Sequence, residues 1–398
     1  MKFTLPLLRD HHTHVSFYAA LGGAADLSGC STAAQALALL RRRRAPLVTA
    51  RGWKNGLYDL PRAALDRLGP VAVCNLSLHG FFFNGPAREL LARRWPDIAA
   101  RVDDQDWVER HLNRVFEVFT AAAGAAAIPA YLESLARLGI WAADDMLAAD
   151  DAAVRALRRY GGRVALWSEP GCYGRLGPAA REAVGGLKIF TDGALGARTA
   201  ALSRGYRGGG RGLLLHDDAG LARLVKKAAR LKGRLAVHAI GDAALEQVVR
   251  VLERLRVPRR ELFVRVEHAQ LITREQARRA KRLGLTLCMQ PNFSSDSAGY
   301  ADRLPARCRR ANNPFRMLID AAGFEPGADL VFGSDGMPHG ARPALEAALF
   351  PPLPGQRLTV GEFRAGYCLP DESAGRLEVA LDEKRRRASV RVRLAAGR

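Results

Sequence analysis

Residues 10–14 read Asp-His-His-Thr-His, directly after the short apolar run Phe3–Arg9. On an extended strand, residues two apart point to the same side, so the His12 and His14 imidazoles face one way. The pattern recurs down the chain. Lys188 lies in Gly-Gly-Leu-Lys-Ile-Phe-Thr-Asp-Gly (185–193) and His238 in Leu-Ala-Val-His-Ala-Ile-Gly-Asp (235–242). His268 lies in Arg-Val-Glu-His-Ala-Gln (265–270) and Asp335 in Val-Phe-Gly-Ser-Asp-Gly (331–336). Each sits in or at the C-terminal end of a β-branched or apolar run.

Eight such runs are spaced along the chain: Phe3–Arg9, Ile140–Ala143, Arg163–Trp167, Leu187–Phe190, Leu235–Val237, Phe263–Val266, Leu285–Met289 and Leu330–Gly333. Helical, Ala/Leu/Arg-rich stretches separate most of them, as in repeated βα units. The expected fold is therefore a (β/α)8 barrel, in which strand ends converge on one mouth. The barrel is expected to span residues 1–370, with a long insertion over its mouth at about 45–138. Residues 371–398 are a short basic tail, in which Val379–Leu394 alternates like one or two strands. The glycine-rich Gly205–Gly212 reads as a lid loop and not as a phosphate cradle, because it opens no helix after a strand.

Composition narrows the classes further. The chain has 398 residues, 48% hydrophobic and 25% charged, the proportions of a globular protein with an ample core. No apolar run approaches the ~20 residues that span a bilayer, so no membrane partner is expected. Arg9, Asp10 and three histidines arrive before any small-residue cleavage site, so no signal peptide is read. The six cysteines are scattered without a CxxC pair, which argues for a reducing cytoplasm over a disulfide framework. The net charge of +21 is almost wholly arginine, since only eight of 61 basic residues are lysine. Its clusters at Arg41–Arg44 and Lys384–Arg387 lack interleaved aromatics. We read solvated helix faces there and no specific nucleic-acid partner.

Two histidines on one strand, one on each of two others and a closing aspartate point to a metal site. A free ammonium cannot ligate a metal. On its own, Lys188 reads as a lysine reaching a nearby carboxylate such as Asp192. Alternation turns Glu267 away from the mouth, toward a packing or ion-pair role.

The order HxH, Lys, His, His, Asp on strands one, four, five, six and eight resembles the amidohydrolase superfamily of metal-dependent hydrolases. Leu187–Leu202, Val237–Val248, Arg265–Ile272, Met289–Asp296 and Val331–Pro338 are similar to its branch related to N-substituted formamide deformylases. Gly52-Trp53 and His79–Asn84 match more weakly, and the likeness covers roughly residues 4–365. It implies that His12 and His14 hold one divalent cation with Asp335, and that His238 and His268 hold a second. Lys188, carboxylated, would bridge the two. Zinc is the first choice, with Mn, Fe, Co and Ni as alternatives, and a mononuclear deaminase-like site stays open. The resemblance also implies attack by a metal-bound hydroxide, with Asp335 as proton shuttle and His79 as a donor to the developing oxyanion. Asp192, Arg198 and Asn84 are candidate substrate contacts, Arg198 through a substrate carboxylate.

There is one departure. Such proteins carry a β-sandwich whose N-terminal half would precede the first barrel strand, yet here the HxH pair begins at residue 12. The expected chain has little or no sandwich, by compaction, a late start or gene decay, and the intact ligand set favours compaction. The expected reaction is hydrolysis of a C–N bond in a small amide or formamide. Deamination or cyclic-amide hydrolysis is the alternative, and a silent barrel binding nucleic acid through its charge comes last. The oligomeric state is open, a homodimer included.

Overall fold

The computed structural model describes residues 1–395 except Ser77 and Arg259, so the last three residues of the basic tail lie outside it. In chain order the strands are β1 (Lys2–Pro6), β2 (Leu8–Thr13), β3 (Ala25–Asp26), β4 (Val48–Trp53), β5 (Val71–Asn75) and β6 (Phe81–Phe83). They continue as β7 (Ile140–Asp145), β8 (Val164–Ser168), β9 (Gly186–Phe190), β10 (Arg234–Ala239) and β11 (Phe263–His268). Last come β12 (Thr286–Met289), β13 (Leu330–Phe332), β14 (Gly375–Asp382) and β15 (Arg387–Leu394).

Eight strands make the barrel, in the order β13-β12-β11-β10-β9-β8-β7-β2, every pairing parallel. Both faces of these strands are covered, so β9 and β12 are buried almost end to end. The ring closes between β13 and β2. The Asp335 amide donates to the His12 carbonyl at 2.7 Å, and the Ser334 amide donates to the Asp10 carboxylate at 2.8 Å. Gly333 makes this approach possible: a Cβ there would meet the His12 nitrogen at 2.5 Å.

The expected first strand, Phe3–Arg9, is two strands. β1 pairs antiparallel with β14, and only from Leu8 does the chain enter the barrel beside β7. Pro6 has no N–H for a ladder, so the chain can change sheets there. β15 extends β14, giving a three-stranded sheet that carries residues of the basic tail. Leu377, Val379 and Leu381 alternate inward from β14 onto the barrel core.

Between β2 and β7 lies a four-stranded sheet, β3-β4-β5-β6, that starts at Ala25, upstream of the expected 45. Helices Gly85–Ala92, Pro96–Arg101, Gln105–Arg110 and Leu112–Ala123 follow. The last presents Phe116 and Phe119 to Phe17, with the Phe17 and Phe116 rings stacked 3.9 Å apart. Helix Ile128–Arg137 buries Ile128, Leu132 and Leu135 in the barrel core, as barrel helices do. Among the described residues no single helix is long and apolar enough to cross a membrane.

Candidate metal centre and active cavity

β2, β9, β10, β11 and the turn after β13 bring the expected ligands to one end of the barrel. Ligand atoms of His12, His14 and Asp335 lie within 4.8 Å of one another. The His14 Nε2 stands 3.0 Å and the His12 Nε2 3.7 Å from one Asp335 oxygen. The His268 ring lies between, its centroid 4.7 Å from His12 and 4.6 Å from His238. Lys188 is fully buried, and its Nζ has no hydrogen-bond partner among the described residues. Asp192, the alternative ion partner for Lys188, instead accepts the amides of Ile240, Gly241 and Ala201 at 2.8–3.0 Å.

Three of the four imidazoles are oriented by a partner on one nitrogen. His12 Nδ1–H donates to Glu267 at 2.6 Å, His268 Nδ1–H to the Gln290 side-chain Oε1 at 2.7 Å, and His238 Nε2–H to the Gly193 carbonyl at 3.1 Å. These bonds fix the tautomers and reserve Nε2 of His12 and His268 and Nδ1 of His238 for a ligand. Burial, together with neighbouring positive groups, pushes the pKa of His12, His238 and His268 well below the ordinary value. They stay neutral, the form that binds metal. Burial likewise brings Lys188 down to about 8, against the pull of Glu267 and Asp335. Asp335 goes the other way: burial raises it, but His12, His14 and Lys188 hold the carboxyl at about 2.

Two backbone conformations set the aim of these groups. His268 has φ +69° and Asp335 φ +54°, uncommon for non-glycine residues. The first corrects the strand-period reading. Arg265 and Glu267 are the inward pair on β11, and His268 reaches the mouth only because its backbone turns left-handed at the strand end. Glu267 is therefore the group that orients His12, anchored by Arg265 Nε at 2.6 Å. Arg265 in turn donates to Asp144 at 2.7 Å, a buried ionic floor beneath the ligands.

The ligands open into a cavity of about 160 Å³ that they share with His79, Leu112, Phe116, Phe190, Phe293 and Asp296. His79 comes from the segment between β2 and β7. Its Nδ1–H donates to Glu109 at 2.8 Å, and Glu109 is also held by the Thr199 hydroxyl at 3.0 Å. Burial alone would lower the His79 pKa, but Glu109 raises it. Sequence reading missed Glu109, since nothing local ties residue 109 to residue 79.

Three expected substrate contacts do not line the cavity. Asn84 is buried as a helix cap and clamp. It accepts the Ala87 and Val71 amides and donates to the Leu65 and Gly69 carbonyls, all at 2.9–3.0 Å. Asp192 is a turn anchor, pushed up to about 7 by burial. Arg198, at φ +59°, lies in the turn after β9 and outside the cavity lining.

Comparison with known proteins agrees with this geometry. The chain resembles YtcJ of Bacillus subtilis (strain 168), named as an amidohydrolase, at 42% identity over 123 residues. It resembles the Arabidopsis thaliana protein LONG AFTER FAR-RED 3 at 30% over 158 residues. The matches take in 30% and 38% of this chain but only 23% and 26% of those relatives' lengths. In fold it is similar to an uncharacterized metal-dependent hydrolase of Pyrococcus horikoshii OT3, with a TM-score of 0.66 and 24% identity over 87% of this chain and 74% of the other. A second such hydrolase, from Pyrococcus furiosus, gives 0.66 and 22% over 91% and 80%. The amidohydrolase family profile Amidohydro_3 matches residues 2–349, a span holding all six expected ligand positions from His12 to Asp335. The chain belongs to the amidohydrolase family.

Proposed function

We propose that this chain hydrolyses a C–N bond in a small amide or formamide, using divalent metal held at the barrel mouth. One observation carries the reading: four histidines and an aspartate line one cavity at the end of a barrel whose strand β9 holds a fully buried Lys188 with an unpartnered Nζ. His12, His14 and Asp335 would hold one cation, and His238 and His268 a second. Lys188 suits the place between them. At a pKa of about 8 a fraction of its amine is neutral near pH 7, the form that adds CO2 to give a carbamate. Bound divalent cations, zinc first, supply Lewis acidity and make water a nucleophile near neutral pH.

The side chains do the rest. Asp335, ionised over a wide pH range, takes the proton from the attacking water and passes it to the departing nitrogen. His79, held by Glu109, donates to the carbonyl oxygen as charge develops there. Leu112, Phe116 and Phe190 exclude bulk water and strengthen both interactions. A second reading, a mononuclear deaminase or cyclic amidohydrolase, draws on the compactness of the His12, His14 and Asp335 group. A small-molecule substrate and no specific nucleic-acid partner belong to the same proposal. So does a reducing, cytoplasmic setting, supported by six free, buried cysteines. The test is a screen of formamides, linear amides, lactams and aminoheterocycles against metal-loaded protein. Turnover of formamides or amides is expected; turnover of aminoheterocycles alone would overturn the leading reading.

A further inference from the structure

The chain carries 61 lysines and arginines, yet among the described residues lining the active cavity none is either. The walls are apolar at Leu112, Phe116, Phe190 and Phe293, and two carboxylates face in. One is Asp335, which belongs to the ligand group. The other is Asp296, half-buried at the start of helix Asp296–Gly299 and used by none of the chemistry above.

Its surroundings leave it short of a partner. Gln270, buried and two residues after His268, donates Nε2–H to Asp296 Oδ2 at 2.7 Å, and Oδ1 has no bonded partner among the described residues. The nearby cation, Arg303, is engaged elsewhere. Its Nε and Nη2 lie 3.0 Å from Asp302, its Nη1 donates to the Gly196 carbonyl at 2.5 Å, and its plane covers the Tyr300 ring at 4.8 Å. A carboxylate on an apolar wall that no lysine or arginine faces attracts a donor or positive charge that enters beside it, and repels an anion there.

We infer that Asp296 is a specificity residue that selects substrates bearing an amino or other N–H group away from the scissile bond, and that it disfavours a carboxylate at that end of the cavity. This reverses the expectation that Arg198 receives an acidic substrate. It rests on the hydrolytic reading for the word substrate, but not for binding.

The test uses three formamides of similar length: N-(2-aminoethyl)formamide, N-propylformamide and N-formyl-β-alanine. Affinity by calorimetry and kcat/KM are measured on metal-loaded wild type and Asp296→Asn. Asn still accepts the Gln270 hydrogen bond, so the loop keeps its anchor. The cationic compound is expected to bind at least about tenfold more tightly than the anionic one, a difference of about 1.4 kcal/mol. Asp296→Asn is expected to bring that ratio to within about threefold, through KM and not kcat. Equal affinities, preference for the anion, an unchanged ratio in the variant, or no binding of any of the three would overturn the assignment. Binding in the expected order without turnover upholds Asp296 and counts against the hydrolytic reading. Turnover without charge preference does the reverse.

Discussion

The two walls of the active cavity follow different rules. One is made of barrel strand ends, where His12, His238, His268 and Asp335 each arrive on a separate βα unit, with Lys188 buried on β9 beneath them. The other comes from the segment between β2 and β7, where His79 depends on Glu109, thirty residues away on helix Gln105–Arg110. In the first wall the backbone itself delivers the group, since a parallel barrel gathers its C-terminal strand ends in any member of the fold. In the second, a tertiary ion pair does the aiming. Strand-end residues should therefore control whether metal and chemistry exist at all, and inserted residues should tune them.

The largest effect belongs to Lys188. Lys188→Ala should lose most bound metal and bring turnover to background, and a short carboxylic acid or bicarbonate should partly restore both. A Lys188→Ala protein with full metal and full rate would remove the strand-four residue from the first wall. Asp335→Asn comes next. Asn offers an oxygen but accepts no proton at neutral pH, so metal should stay while kcat falls on the order of 10²–10⁴-fold. Loss of all metal would make Asp335 a ligand first and leave the proton shuttle unassigned.

How far these walls were legible in the sequence follows the same division. The convergence of His12, His14, His238, His268 and Asp335 on one mouth and the eight-stranded barrel were readable because strand runs and strand-end position are local signals. Period-two alternation misplaced Glu267, because it assumes β geometry through residue 268, where the backbone turns to φ +69°. Phe3–Arg9 was read as one strand because hydropathy does not show a change of sheet at Pro6. Glu109 carried no local signal, and Asp296 closed a motif, Met289–Asp296, that gave it no role. Their roles arise from contacts with residues far away in the chain, as in the Asp296–Gln270 bond.

Glu109→Gln sharpens the second wall. Glu109 raises the His79 pKa against burial, so removing its charge lets that pKa fall and His79 lose its proton at lower pH. The alkaline limb of kcat/KM should move to lower pH, with a loss on the order of 10- to 100-fold at neutrality and unchanged metal content. An unmoved limb would free His79 from the mechanism. The smallest catalytic effect is expected at Asn84, whose bonds are all internal. Asn84→Ala should cost about 1–3 kcal/mol in urea unfolding and leave KM unchanged. A KM raised tenfold would return Asn84 to the substrate site.

The central claim is that the barrel mouth holds two divalent cations, and metal content measures it most directly. Elemental analysis of the purified chain, before and after reconstitution with zinc, should give about two equivalents per chain. A value near one would favour the mononuclear reading. Less than half an equivalent, with no gain on reconstitution, would contradict the account.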